Sequence, residues 1–96
     1  MTYKEIKEFQ LVKGTYPKLV ERFRNSVVNG VDGYLGLEAG VNTMHNDYDL
    51  LVLTFTWTNY ESFIAFKNSD LHMASHKHKL VNPDVIKSTK RHFQVI

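Results

Sequence analysis

The stretch from Leu50 to Trp57 sets the strongest limit on what this chain can fold into. It is β-prone and apolar on both faces, with Leu51, Leu53, Phe55 and Trp57 alternating on one side and Leu50 and Val52 on the other. A strand of that kind lies inside a sheet and needs cover above and below. The rest of the chain must therefore supply neighbouring strands, a layer for one face and a partner for the other.

The flanking segments read accordingly. Residues 3 to 12 mix Lys and Glu with Ile6, Phe9, Leu11 and Val12 and predict a first strand. Thr15 is placed to cap a helix from about Tyr16 to Asn25. Pro17 sits in its first turn, and Tyr16, Leu19, Val20, Phe23 and Val27 recur at helical spacing. After turns at Asn29-Gly30 and Asp32-Gly33, Leu35, Leu37, Ala39 and Val41 alternate as in a half-buried second strand. The polar run from His45 to Asp49 predicts a hairpin turn, with Asp47 and Asp49 as turn-makers. Thr58 or Asn59 is placed to cap a second helix with Tyr60, Phe63 and Ile64 as its core stripe. Ser69-Asp70 is placed to cap a further helical piece from Leu71 to about Lys79. Asn82-Pro83-Asp84 then precedes a last strand containing Phe93 and Val95.

The order β-α-β-β-α-β predicts an α+β, ferredoxin-like domain spanning 1–96, with helices on one face of a four-stranded antiparallel sheet. The other face is expected to meet a second copy of the same sheet. At 96 residues the chain is too short for two cores, and its 43% hydrophobic and 23% charged content suits a globular domain. A domain this small, without cysteine, gains from burial in a dimer.

Composition also narrows function. The net charge of +2 arises from scattered charges of both signs, which argues against nucleic acid as a partner. No apolar run has the length of a signal peptide or membrane span, so a cytosolic protein without membrane attachment is expected. The lack of cysteine excludes thiolate zinc sites, iron–sulfur clusters and a cysteine nucleophile. A metal or cofactor ligand must come from His, Asp, Glu, Tyr or Met.

Three features remain as candidates for chemistry. His72 and His76 lie four apart and share a face if the segment is helical, whereas His78 points elsewhere. Imidazoles so placed can ligate iron, zinc or copper, act as acid or base, or simply be solvated. Lys7 shares alternation parity with Phe9 and Leu11, so it points to the covered face and should border a cavity or meet an anion, with Glu5 on the same face as one partner. Phe66 falls toward the edge of the second helix's apolar stripe, where it can wall a pocket.

Lys13-Gly14-Thr15, Val20-Glu21-Arg22-Phe23, Gly30-Val31-Asp32-Gly33, Trp57 through Phe63, Ser69-Asp70 and His76-Lys77-His78 together resemble the antibiotic biosynthesis monooxygenase (ABM) domain. Within it they are most similar to haem-degrading monooxygenases of the IsdG type, over about residues 3 to 80. The resemblance implies a dimeric α+β barrel, a homodimer built from two ferredoxin-like protomers. It implies oxygen-dependent oxidation of haem, with His76 as iron ligand and Phe66 and His72 against the cofactor. Haem-degrading members carry an Asn on the first strand and a Trp on the second helix; Lys7 and Phe66 stand at those positions here. Phe66 lacks the indole N–H and is smaller, which implies weaker distortion of the macrocycle. Lys7 adds a charge suited to a haem propionate or another anion. Two other functions fit the resemblance. One is a cofactor-free monooxygenase acting on a small aromatic substrate with His76 or His72 as base. The other is a non-catalytic dimer that binds a small, planar hydrophobic ligand.

Overall fold

The structure, a computed structural model, describes the backbone of residues 1–77 and 82–96 and the side chains of 1–73 and 82–96. Four strands, β1 (Tyr3–Leu11), β2 (Tyr34–Asn42), β3 (Asp49–Trp57) and β4 (Val85–Gln94), form one antiparallel sheet in the order β2-β3-β1-β4. Between them run α1 (Tyr16–Arg24), a short 3-10 turn (Val27–Gly30), α2 (Tyr60–Lys67) and α3 (Asp70–Lys77). This is the expected ferredoxin-like α+β arrangement.

β3 occupies the sheet interior, as its two apolar faces require. On the helix side Leu51, Leu53, Phe55 and Trp57 are no more than 5% exposed. Burial of each such side chain stabilises the fold by roughly 1.5–3 kcal/mol. On the other side Leu50 and Val52 are half-buried, beside Ile6 of β1, and Phe93 of β4 is exposed on that same face. No helix covers that face among the described residues. The described helices include none long and apolar enough to cross a membrane.

Local chemistry fixes the element ends. Asn59 caps α2 by accepting from the Ser62 N–H at 2.8 Å, and the Ser69 hydroxyl accepts from the His72 N–H at 3.2 Å at the start of α3. Asn82 bends the chain into β4, its side chain accepting from the Asp84 N–H. Gly33 has a φ of +87°, and a Cβ built there would stand 2.6 Å from the Ser62 Cβ, so only glycine lets β2 start this close to α2.

Four expectations are corrected. Thr15 does not cap α1 with its side chain; its hydroxyl donates to the Val12 carbonyl instead. The β2–β3 register shifts between Tyr34 and Gly36, which leaves Leu35 exposed and gives the inward place to Tyr34. In α2 the buried positions are Phe63 and Phe66, whereas Tyr60, in the first turn, is 45% exposed and packs its edge on Tyr3. Asp49 is not a turn residue: it opens β3 and is buried.

Asp49 ties three segments together. One carboxylate oxygen accepts from Lys13 Nζ at 2.9 Å and the other from the Gly14 N–H at 2.9 Å. The same ammonium donates to the carbonyls of Thr43 and His45, so the loop after β1 is fastened to the β2–β3 hairpin. The Gly14 N–H and the Lys13 ammonium hold the Asp49 carboxyl below its ordinary value of 3.8. A depressed folded value means that stabilisation is complete above the unfolded value and fades as pH falls through the folded one. Asp49→Asn is therefore expected to lower the melting temperature at pH 7, with the gap from wild type narrowing below about pH 4. Thermal melts of both proteins across pH 2.5–7 check this; a constant gap would remove the charge from the explanation.

Candidate functional site

The covered face holds two separate apolar clusters, and the boundary between them is where polar residues enter. One cluster, under α2 and the 3-10 turn, contains Tyr3, Val28, Trp57, Phe63 and Phe66. The other, under α1, contains Leu11, Leu19, Leu51, Leu53 and Phe55, with Phe9 and Phe23 packed on it. Tyr34 touches both. Along β1 the inward positions read Tyr3, Glu5, Lys7, Phe9 and Leu11, so Glu5 and Lys7 fall in the seam between the clusters.

Glu5 is only 4% exposed, and its carboxylate pairs with Lys67 at the end of α2 at 3.3 Å. A buried carboxylate without such a partner would be costly. The Lys7 ammonium lies over the rings of Phe23 and Phe55, at 5.2 and 5.4 Å from their centroids. Lys7 thus does point to the covered face, at the mouth of the seam. The β4 flank is open: His92 lies across from Glu5 and Lys90 across from Lys7, both exposed. The Tyr3 hydroxyl meets His92 Nδ1, and burial, with Tyr60 and Glu5 nearby, raises the Tyr3 phenol above its ordinary value.

Phe66, near the end of α2, meets His72 in the first turn of α3. The Phe66 ring is 5.5 Å from Trp57 and 4.9 Å, edge-on, from His72. At 8% exposure Phe66 belongs to the core stripe of α2 and not to its edge. Helical backbone over Asp70–Lys77 puts His76 one turn beyond His72 on the same face of α3. The side chain of His76 and all of His78 and Lys79 lie outside the described residues. Among the described residues no three His, Asp or Glu side chains converge as a metal cluster.

Two buried donors near the seam have no hydrogen-bond partner among the described residues: the Tyr34 hydroxyl and the Trp57 indole N–H, on rings 5.2 Å apart. Each such group costs about 1–3 kcal/mol unless something accepts from it. Burial raises the Tyr34 phenol, so it remains a donor at neutral pH. In chemical character the region combines aromatic rings, a cation and buried donors, a set that suits a flat, largely apolar molecule with acidic groups at its edge.

Sequence reasoning missed Lys67, Tyr34, Lys90 and Asp49. Lys67 closes α2 beside Phe66, a place where a basic residue is ordinarily read as complementing the helix dipole. Tyr34 was concealed by the β2 bulge, and Lys90 acquires meaning only from the β1–β4 register.

No family model matches the chain. A haem-degrading monooxygenase from Bacillus thuringiensis (strain Al Hakam) is 32% identical over 82 residues, covering 84% of this chain and 77% of that protein. Among solved structures, a Bacillus cereus protein assigned as an antibiotic biosynthesis monooxygenase superposes with a TM-score of 0.82 at 21% identity, over 98% of this chain and 92% of the other. The haem-degrader MhuD from Mycobacterium tuberculosis, with two haems bound in its active site, superposes with a TM-score of 0.69 at 24% identity, over 98% and 95%. The two structures support the fold, and the sequence relative supports the family.

Proposed function

On the premise that this chain belongs to the antibiotic biosynthesis monooxygenase family and is related to its IsdG-type haem-degrading members, we propose that it binds haem in the seam between helices and sheet and oxidises it with dioxygen. The observation that carries this reading is the seam itself, where Lys7 and the Glu5–Lys67 pair interrupt an otherwise apolar core rich in aromatic rings. The chemistry of the seam suits the group: aromatic rings of both clusters match its faces and the Lys7 ammonium matches its acidic edge.

In this reading His76 on α3 is the iron ligand, with His72 one turn before it. Phe66 supports His72 edge-on and forms the apolar backing of the site. Lys7, held over Phe23 and Phe55, provides the polar contact at the mouth. Haem held there supplies a redox-active iron, and an external reductant supplies electrons. The chain's own part is to orient the macrocycle, exclude water from its faces and keep the Tyr34 hydroxyl protonated. The uncovered face, with Ile6, Leu50, Val52 and Phe93, is assigned to a second copy, making the protein a homodimer.

Titration with haemin is expected to give a saturable Soret band at one haemin per chain, and the band should decay when a reductant is added under air. A stable band under those conditions would identify a carrier, in keeping with Lys7 and Phe66 at the positions where haem-degrading members have Asn and Trp. No saturable band would favour the second reading, a cofactor-free monooxygenase acting on a small aromatic substrate, with His72 or His76 as base.

A further inference from the structure

Trp57 is the only tryptophan of the chain, and it stands between two tyrosines on the covered face of the sheet. It is opposite Tyr34 in the β2–β3 ladder and opposite Tyr3 in the β1–β3 ladder, and residues so paired hold their Cβ atoms about 4.5–5.5 Å apart. The Trp57 and Tyr34 ring centroids are 5.2 Å apart, and the Phe63 ring lies between Trp57 and Tyr3, at 6.0 and 5.0 Å. In a chain without cysteine, indole and phenol are the side chains that give up one electron most readily.

The two tyrosines differ in where their protons can go. A phenol that gives up an electron must also give up its proton, and burial keeps both phenols protonated at neutral pH. The Tyr3 hydroxyl meets Nδ1 of His92, and a neutral imidazole nitrogen takes such a proton. The Tyr34 hydroxyl has no acceptor among the described residues. His92 is exposed on the edge strand β4, with its ring packed on those of Tyr3 and Phe63. The Trp57 N–H also lacks an acceptor among the described residues, so an oxidised indole keeps its proton and its positive charge, which is costly in an apolar core.

We propose that Trp57, Tyr3 and His92 form a relay that carries a one-electron oxidising equivalent from the core to the surface. In this step Tyr3 gives an electron to the oxidised Trp57 and its hydroxyl proton to His92 Nδ1. The indole is restored, Tyr3 becomes a neutral phenoxyl radical, and the positive charge passes to an imidazolium that meets water. An external reductant then supplies one electron to the phenoxyl, and His92 returns the proton. The inner end of the relay lies near α3, because the Phe66 ring centroid is 5.5 Å from that of Trp57 and 4.9 Å from that of His72. The use of the relay rests on the dioxygen chemistry proposed for the site: a one-electron oxidant formed from dioxygen beside α3, with no substrate to consume it, is discharged at the surface. The relay itself does not need haem.

Pulse radiolysis of the protein in azide solution tests the relay with no haem present. The azidyl radical takes one electron preferentially from indole, and decay of the Trp57 radical band with matching growth of a phenoxyl band gives the transfer rate. That rate is expected to be independent of protein concentration and to fall in D2O. Tyr3→Phe and His92→Gln should each slow transfer at least about tenfold, water being a poorer proton acceptor than a positioned imidazole. His92 is exposed, so His92→Gln tests the relay with the core intact. Tyr34→Phe, a change equally close to Trp57, should leave the rate as it is. An unchanged rate in Tyr3→Phe or in His92→Gln, or loss of the phenoxyl band in Tyr34→Phe, would overturn the proposal. Haemin titrated in parallel separates the relay from the haem reading. Protein that binds no haemin yet passes the radical from Trp57 to Tyr3 keeps the relay and removes haem. Haemin binding without Tyr3-dependent transfer removes the relay and keeps haem.

Discussion

Replacing His76 by Ala is expected to lower haemin affinity by at least about 100-fold, since even groups that only orient an iron ligand contribute 10–100-fold. The prediction comes from the place of His76 on α3. Helical backbone over Asp70–Lys77 sets it one turn past His72, whose ring is braced edge-on by Phe66 at 4.9 Å. The Ser69 hydroxyl starts α3, and His72 and His76 stand one turn apart along its backbone. His72→Ala is therefore the informative control, and it should cost much less. The Soret band position and a titration of each variant decide between them. If His72→Ala abolishes binding and His76→Ala does not, the ligand is one turn earlier and the assignment moves with it. If neither matters, haem is not held by α3.

The second large effect concerns the core that backs the site. Trp57→Ala should destabilise the fold by about 3–5 kcal/mol, a third or more of the stability usual for a small domain. Trp57 is 2% exposed and joins Tyr34, Phe63 and Phe66, with ring centroids 5.2, 6.0 and 5.5 Å away. Its removal leaves a cavity between β2 and α2, whose junction is held by the Thr58 N–H donating to the Gly33 carbonyl at 2.8 Å. Trp57→Phe should cost less than about 1.5 kcal/mol, because it keeps most of the apolar volume and removes a buried N–H that has no partner among the described residues. Urea denaturation at equal protein concentrations measures both, so that any association between copies acts equally on each. Near-equal losses for Ala and Phe would mean that the full indole, and not apolar volume alone, is needed at this position.

How far the chain could be read without coordinates varies by element. β3 was legible because four large apolar residues at strict alternation admit only one strand face. The break at Asn82 and the cap at Asn59 were legible because their side chains act on backbone a few residues away. The same local logic failed at Leu35, where a register shift with Gly36 at a φ of +139° turned the strand by one residue. It failed for α2 as well: periodicity defined an apolar stripe, but whether Tyr60 or Phe66 is buried depends on where the helix crosses Trp57 and Tyr3. Asp49 gave no signal, since an acid before a strand looks like any turn residue until Lys13 and Gly14 are brought to it from more than thirty positions away.

For the site, the sequence alone singled out Lys7 by its alternation parity with Phe9 and Leu11, and His72 and His76 by their helical spacing. The ferredoxin-like order of elements was likewise written in the chain, because hydrophobic periodicity and turn chemistry are local properties that each segment carries with it. Only the tertiary structure decided that Glu5 would be claimed by Lys67, that Tyr34 would bridge two clusters and that Lys90 would stand across from Lys7. Those pairings depend on strand register and helix placement. Both are set by packing between segments distant in sequence, and a register changed by one residue would send every side chain of the strand to the other face.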